Sequence, residues 1–178
     1  AVTRHAKVDA GSSVVVVGVG GVGLNAVQGA RLAGAKTIIA VDLLDNKLQM
    51  ATQFGATHIV NAKREDVVKR VREITGGLGA DYSFDAIGTA KTTEQIIDVL
   101  APAGHATIVG IPHVDARAQL SPFQMVYTEK KVSGTYYGSI RPTIDFGILA
   151  DLSIEGKLDL NSLISRTYKF DEINEGFQ

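Results

Sequence analysis

Positions 14–17 are four consecutive valines with no polar residue among them. A strand with one wet face would alternate apolar and polar residues, so an unbroken run predicts a strand covered on both faces, as in a parallel sheet. The run ends in a cluster of glycines at 18, 20, 21 and 23. Beyond it Ala26, Gly29, Ala30 and Ala33 recur at helical spacings, which predicts a helix with one small-residue face able to lie close to the sheet. Gly34 then stands where a helix C-terminal glycine belongs. TIIAV at 37–41 predicts the second strand, ending at Asp42. Asp45 is the expected N-cap of a second helix that carries Leu48 and Ala51 and stops at Gly55.

The alternation continues to the end of the chain. HIV (58–60) predicts a short strand, and Val67, Val71 and Ile74 mark a helix face that ends at Gly76 and Gly77. YSFDAI (82–87) predicts a fourth strand up to Gly88, and Thr92 with Gln95 predicts a capping box for a helix running through Leu100. HATIVGI (105–111) is the fifth predicted strand, stopped by Pro112, and Ser121 with Pro122 reads as the cap and first position of a short helix. VSGTYY (132–137) predicts a sixth strand, and Pro142 opens a long helix reaching Ile154. Strand and helix in regular alternation imply an α/β fold, a parallel sheet with helices on both faces. Right-handed crossovers make it doubly wound, six strands in the order 3-2-1-4-5-6. Ligands in such folds bind where the strand order reverses, here between the ends of the first and fourth strands, Gly18 and Gly88.

Composition narrows the partners. The 178 residues suffice for one well-buried core, and 45% hydrophobic with 21% charged residues is the balance of a globular domain. A formal net charge of -1, with no basic stripe, points away from nucleic acid. No apolar run approaches the roughly 20 residues of a membrane helix, and AVTRHAKVDAG lacks the apolar centre of a signal peptide. There is no cysteine, which excludes disulfides and thiolate metal sites within this chain. The cytoplasm is the expected location. The chain begins at Ala1 and stops at Gln178, inside what reads as a new helix (FDEINEGFQ), so it is expected to be a piece of a longer protein.

The glycine cluster carries the chemistry. In VVVVGVGGVG a strand turns sharply into a helix whose first N–H groups, with the helix dipole, face an anion. Gly18 permits the tight turn, Gly20 lets a pyrophosphate approach the main chain, and Gly23 lets the helix pack closely on the strand. Gly21 is one more unobstructed position. Glycine-rich turns are common, and the context distinguishes this one: a strand before, a helix after, and an acid at the end of the second strand. Asp42 stands 22 positions beyond Gly20, near the roughly 20 of the dinucleotide fingerprint. A carboxylate there accepts hydrogen bonds from the ribose hydroxyls of NAD. The 2′-phosphate of NADP would meet like charge, a repulsion at about 4 Å of roughly 1 kcal/mol in water and about 4 kcal/mol at intermediate dielectric. The expected cofactor is therefore NAD. Lys47 can reach the same ribose, although its spacing equally suits an exposed helix lysine.

Read together, GVGGVG, IIAVD with Lys47 five residues on, GAT (55–57), SFDAIG (83–88), VGIP (109–112), YYG (136–138) and FDEINEGF (170–177) resemble the zinc-dependent alcohol dehydrogenases of the medium-chain dehydrogenase/reductase family. The likeness spans nearly the whole chain, in order. It implies a Rossmann-type coenzyme-binding domain at 1–138, with an N-terminal linker, and a return helix and tail at 139–178 leading back to a catalytic domain. It also implies roles that spacing does not show. Asp42 and Lys47 would hold the adenosine ribose, and Gly20, Gly21 and Val22 would lie along the pyrophosphate. Ile87 and Gly88 would border the cofactor at the fourth strand. Backbone groups of Val109, beside Gly110, and of Thr135 and Tyr137 would bind the nicotinamide carboxamide. In dimeric relatives the sixth strand pairs with its twin, which makes VSGTYY the expected homo-oligomer edge.

The resemblance further implies an alcohol or aldehyde substrate and a catalytic zinc held by cysteines and a histidine upstream of this chain. His5, His58, His105 and His113 have no ligand spacing and read as structural or surface histidines. The family's late arginine on the pyrophosphate would fall beyond Gln178. The chain alone is expected to bind cofactor without catalysing. Two other readings stand beside this one. A zinc-free, NADPH-using quinone or enoyl reductase of the same superfamily is disfavoured by Asp42 and by GVGGVG. A non-catalytic NAD-sensing module shares the glycine turn and the acid but not VGIP and YYG.

Overall fold

The computed structural model describes residues 1–177. Six strands, β1 (Ser13–Val17), β2 (Thr37–Asp42), β3 (His58–Asn61), β4 (Ala80–Asp85), β5 (Leu100–Ile108) and β6 (Lys131–Gly134), form one sheet in the order β3-β2-β1-β4-β5-β6. Every pairing is parallel. The predicted doubly wound order is thus the observed one. The crossovers carry helices α1 (Gly21–Leu32), α2 (Asp45–Gln53), α3 (Val67–Ile74), α4 (Ala90–Asp98) and α5 (Pro122–Tyr127).

The valine run is the centre of the core. Val14, Val15 and Val16 are completely buried, and burying each side chain stabilises the fold by about 1.5–3 kcal/mol. Val15 and Val17 face a cluster with Ile39, Val41, Val60, Val71, Ile96 and Ala106, so successive valines serve opposite layers. On α1 the small-residue face is used as predicted. Ala26 and Ala30 are buried, and Gly29 lies against Val2 of a one-turn π-helix at Val2–Ala6. Gly34 and Gly55 follow the ends of α1 and α2 in the left-handed conformation, φ 81° and 113°.

Several boundaries differ from those predicted. Leu44 occupies the N-cap position of helix α2 and no side chain caps it; Asp45 stands in the first turn instead, its carboxylate drawn to Asn61 and Arg64. The capping box of α4 is Thr89 with Thr92, three residues earlier than Thr92 with Gln95. Strand β4 covers Ala80–Asp85 where 82–87 was expected, since the chain turns at Asp85, whose own carboxylate accepts the N–H groups of Ile87 and Gly88. Strand β5 begins at Leu100, which pairs with Ala80, and ends at Ile108, because the N–H groups of Val109 and Gly110 turn to the Asp85 carbonyl. Strand β6 stops at Gly134 because Tyr137, Gly138 and Ser139 take left-handed backbone angles. Ser121 caps α5 by accepting the Gln124 N–H, with Pro122 at the first position, as predicted.

The described residues divide into two compact units, Ala1–Pro142 and Thr143 onward. The second contains most of α6 (Pro142–Ile154), short 3-10 turns at Asn161–Leu163 and Phe170–Glu172, and α7 (Ile173–Gly176). Within it Leu158 is buried and Arg166 stacks on the Tyr168 ring at 4.7 Å.

Candidate functional site

At the end of β1 the chain reverses through Gly18, whose φ of 85° suits a residue without Cβ and whose N–H donates to the Val41 carbonyl at 2.8 Å. A Cβ on Gly18 would stand 2.4 Å from Ile87, and one on Gly23 would stand 1.8 Å from the Gly18 carbonyl oxygen. These two glycines are filled in by protein. A Cβ on Gly20 or Gly21 would meet no atom within 4 Å. The N-cap of α1 is Gly20 and no side chain caps this helix, so its first-turn N–H groups open onto that same empty space, with Val22 exposed beside it.

Asp42 closes the turn from the β2 side. Its Oδ2 accepts the Val19 N–H at 3.0 Å, and its Oδ1 accepts those of Leu43 at 2.7 Å and Leu44 at 3.1 Å. A carboxylate offers about four lone-pair sites, so Oδ2 retains accepting capacity. Lys47 follows in the first turn of α2, half-buried. Beside it the Asn61 amide donates to Asp45 at 2.7 Å and Arg64 forms a further ion pair. The Asn61 hydrogen bond above all holds the Asp45 carboxyl below the ordinary range; desolvation opposes it, and Arg64 and Lys63 add to the lowering.

The β4 side is organised by Asp85, completely buried at the strand end. Its Oδ1 accepts the N–H groups of Ile87 (3.0 Å) and Gly88 (2.9 Å), and its Oδ2 accepts the hydroxyls of Thr92 (3.0 Å) and Thr93 (2.9 Å). Its backbone carbonyl takes the N–H groups of Val109 and Gly110. Gly88 and Gly110 touch back to back: a Cβ on Gly110 would come within 2.5 Å of the Gly88 nitrogen. Further along the sheet edge, the Thr135 N–H donates to the Ile108 carbonyl at 3.0 Å, and Tyr137 is exposed.

The sequence-predicted site residues therefore all stand at the carboxyl ends of the strands. Short contacts join Gly18 to Ile87 and Gly23 and join Gly88 to Gly110, while Asp42 bonds Val19 and Val109 bonds Asp85; Gly20, Gly21 and Val22 border open space, and Lys47 stands in the first turn of α2. Thr135 and Tyr137 lie apart at the β6 end. Two surface depressions, about 440 Å³ by Asp66 and Arg72 and about 300 Å³ by Ile97 and Lys130, include none of these residues. A dinucleotide cradle borne by one sheet end is an open crevice, so enclosure is a poor guide to it. The sequence reading does not single out Asp85, although the acid that ends the strand and Thr92 and Thr93 at the start of the next helix stand within SFDAIGTAKTT (83–93). The described residues contain no cluster of three or more histidines and carboxylates suited to a metal, and the chain has no cysteine, so these residues do not fit a zinc site. A nicotinamide dinucleotide does fit the open cradle at Gly20 and Gly21.

Comparison with known proteins agrees with this geometry. A family model described as zinc-binding dehydrogenase matches residues 21–152. The chain is 40% identical over 184 residues to S-(hydroxymethyl)glutathione dehydrogenase of Paracoccus denitrificans, covering 99% of this chain and 49% of that protein. The structure of an alcohol dehydrogenase zinc-binding domain protein from Burkholderia ambifaria superposes with a TM-score of 0.95 at 35% identity, over 99% of this chain and 47% of that one. A putative zinc-binding dehydrogenase from Sinorhizobium meliloti 1021, solved with NADP bound, superposes with a TM-score of 0.88 at 30% identity, over 96% of this chain and 49% of that one. The chain spans about half the length of the curated relatives it matches. The doubly wound sheet, the glycine turn at the strand-order reversal and these likenesses have one source: the chain belongs to the zinc-binding dehydrogenase family, that of the medium-chain alcohol dehydrogenases its motifs resemble.

Proposed function

We propose that this chain is the NAD(H)-binding part of an oxidoreductase that moves hydride between an alcohol or aldehyde and the nicotinamide ring. The reading is carried by the empty space at Gly20 and Gly21, which faces the uncapped start of α1 and adjoins the Asp42 carboxylate. The nicotinamide supplies the hydride chemistry when bound. The residues of this chain bind and orient it. Gly20, Gly21 and Val22 lie along the pyrophosphate, which the N–H groups of the first α1 turn face, and the free capacity of Asp42 Oδ2, with Lys47, takes the adenosine ribose. Ile87 and Gly88 border the dinucleotide between its two ends. Backbone groups of Val109, Thr135 and Tyr137 take the carboxamide and so decide which ring face is presented.

The choice of NAD over NADP rests on Asp42. Its charge lies at the β2 end and is already committed to three N–H groups, so it cannot swing away from a 2′-phosphate without unmaking the turn. The NADP-bound relative makes this a point to test. The functional division runs at 138/139, with the later segment leading to a catalytic domain. The zinc named by the family is held outside this chain, and the chain alone does not catalyse. β6 is an edge strand, which supports pairing with a second copy there. No helix among the described residues is long and apolar enough to cross a membrane, and we assign the protein to the cytoplasm. Titrating the purified chain with NADH and NADPH, read by the cofactor's own fluorescence, tests the reading. Saturable NADH binding with much weaker NADPH binding supports it. Equal affinities remove Asp42 from the ribose site, and no binding by a folded sample removes the site itself.

A further inference from the structure

The N-terminal π-turn brings His5 to the β5–β6 edge of the sheet, where two imidazoles meet one serine. His5 Nε2 lies 2.8 Å from Ser133 Oγ, and His105 Nε2 lies 2.7 Å from the same oxygen. The other ring nitrogen of His5, Nδ1, is 3.0 Å from Ser139 Oγ, which is itself 2.9 Å from Thr135 Oγ1. A serine hydroxyl has one proton to donate, and a neutral imidazole donates at one nitrogen and accepts at the other. A neutral His5 therefore meets one of Ser133 and Ser139 as donor and the other as acceptor, and each hydroxyl, with two lone pairs, can complete the bond to His105 or Thr135. His5 is the middle link, and the only member that joins Ser133 on the strand to Ser139 on the loop.

The loop end of this chain needs holding. Tyr137, Gly138 and Ser139 have φ of 49°, 67° and 55°, a left-handed run that is disfavoured for the two residues carrying a Cβ and persists only when neighbours over-determine it. Ser139 is tied by its hydroxyl to His5 and Thr135 and by its N–H to the Tyr136 carbonyl at 3.0 Å, and the Gly138 carbonyl accepts from the Ala1 nitrogen at 2.9 Å. Every one of these ties except the Tyr136 and Thr135 bonds comes from the N-terminal turn. Residues 135–139 are thus held in part by a segment more than a hundred residues away in sequence, beside the Thr135 bond to Ile108.

We propose that His5 is a positioning residue for the nicotinamide end of the cofactor: through Ser139 and Ser133 it locks the 135–139 loop in the conformation whose backbone meets the carboxamide. The inference rests on the reading above that Thr135 and Tyr137 lie at that end. His5 itself does not touch the cofactor.

ADP-ribose separates the two ends of the site, because it carries the adenosine and pyrophosphate of NADH and lacks the nicotinamide. Calorimetric titration of the 178-residue chain with each ligand is the test. The wild type binds NADH more tightly than ADP-ribose. In His5→Ala the affinity for ADP-ribose is retained, which shows that the chain is folded, while the advantage of NADH falls about tenfold, the loss of roughly one net hydrogen-bonding group. Ser139→Ala gives a similar loss if the His5 variant does not fold. His5→Gln, which can still donate and accept, restores part of the advantage, and His5→Phe, which only fills space, does not. An unchanged NADH advantage in His5→Ala and Ser139→Ala overturns the proposal, as does rescue by Phe. A wild type that binds both ligands equally overturns the placing of Thr135 and Tyr137, and one that binds neither overturns the NAD reading altogether.

Discussion

The carbonyl oxygen of Gly18 occupies the place where a side chain on Gly23 would begin, 1.8 Å from the position of its Cβ. The turn from β1 into α1 can close only because residue 23 ends at its Cα. Gly20, three residues earlier, has no such neighbour. Two glycines of one motif thus answer to different demands, one to packing and one to open space that a ligand can use.

Gly23→Ala is accordingly expected to destabilise the fold by about 1–3 kcal/mol or more through overpacking against backbone. Gly20→Val should stay within about 0.5 kcal/mol of the wild type and lose NADH binding. Urea denaturation beside NADH titration distinguishes them. A stable Gly23→Ala protein, or a Gly20→Val protein that binds normally, contradicts this division.

Asp42→Gly has a double outcome. The gap between NADH and NADPH narrows, because on the proposed reading the charge that would face the 2′ position is gone. Stability falls as well, because the buried turn residue Val19 loses the acceptor of its N–H, a loss of about 1–3 kcal/mol, while water can replace the bonds at exposed Leu43 and Leu44. Parallel titrations and a melting curve read both effects. Lost specificity with no loss of stability would mean that the Val19 bond contributes nothing.

Asp85 separates acceptor number from charge. Asp85→Ala leaves two backbone N–H groups and two threonine hydroxyls without their buried acceptor, and is expected to cost at least about 3 kcal/mol. Asp85→Asn is expected to be milder. Its carbonyl oxygen can still accept from Ile87 and Gly88, and its NH₂ can donate to the hydroxyls of Thr92 and Thr93, which also accept. Equal denaturation midpoints for the two variants would show that charge, not hydrogen-bond count, decides the site.

His105 predicts a pH effect. Burial first, then His5 and Lys131, hold its imidazole below the ordinary 6.5. Between the folded value and 6.5 the unfolded chain binds more protons than the folded one. The stability is therefore complete above about pH 6.5 and is lost as pH falls through the folded value. Denaturation at about pH 7.5 and about pH 5.5 should show a larger loss on acidification for the wild type than for His105→Gln. Matching losses would place the effect elsewhere.

Much of the molecule was legible before folding because its signals are local. The unbroken valines, the small-residue face of α1, the glycines after α1 and α2 and the Ser121–Pro122 cap each depend on neighbours within a turn or a strand. The helix caps read less well where a nearby acceptor or donor from another element intervened. Asp45 left its capping position for Asn61 and Arg64, and the α4 capping box moved to Thr89 so that Thr92 and Thr93 could both face Asp85.

By itself, the order of residues determined the α/β class, the strand order and the glycine turn at the strand-order reversal, because periodicity and glycine spacing act over a few residues and crossover handedness leaves one topology. The tertiary structure alone decided where the strands stop and what secures their ends. The back-to-back contact of Gly88 with Gly110 and the meeting of His5, Ser133 and His105 join groups far apart in the chain. Such contacts have no periodic signature. They exist only once the sheet has brought distant strand ends together, where a buried polar group must find its partner or leave the fold less stable.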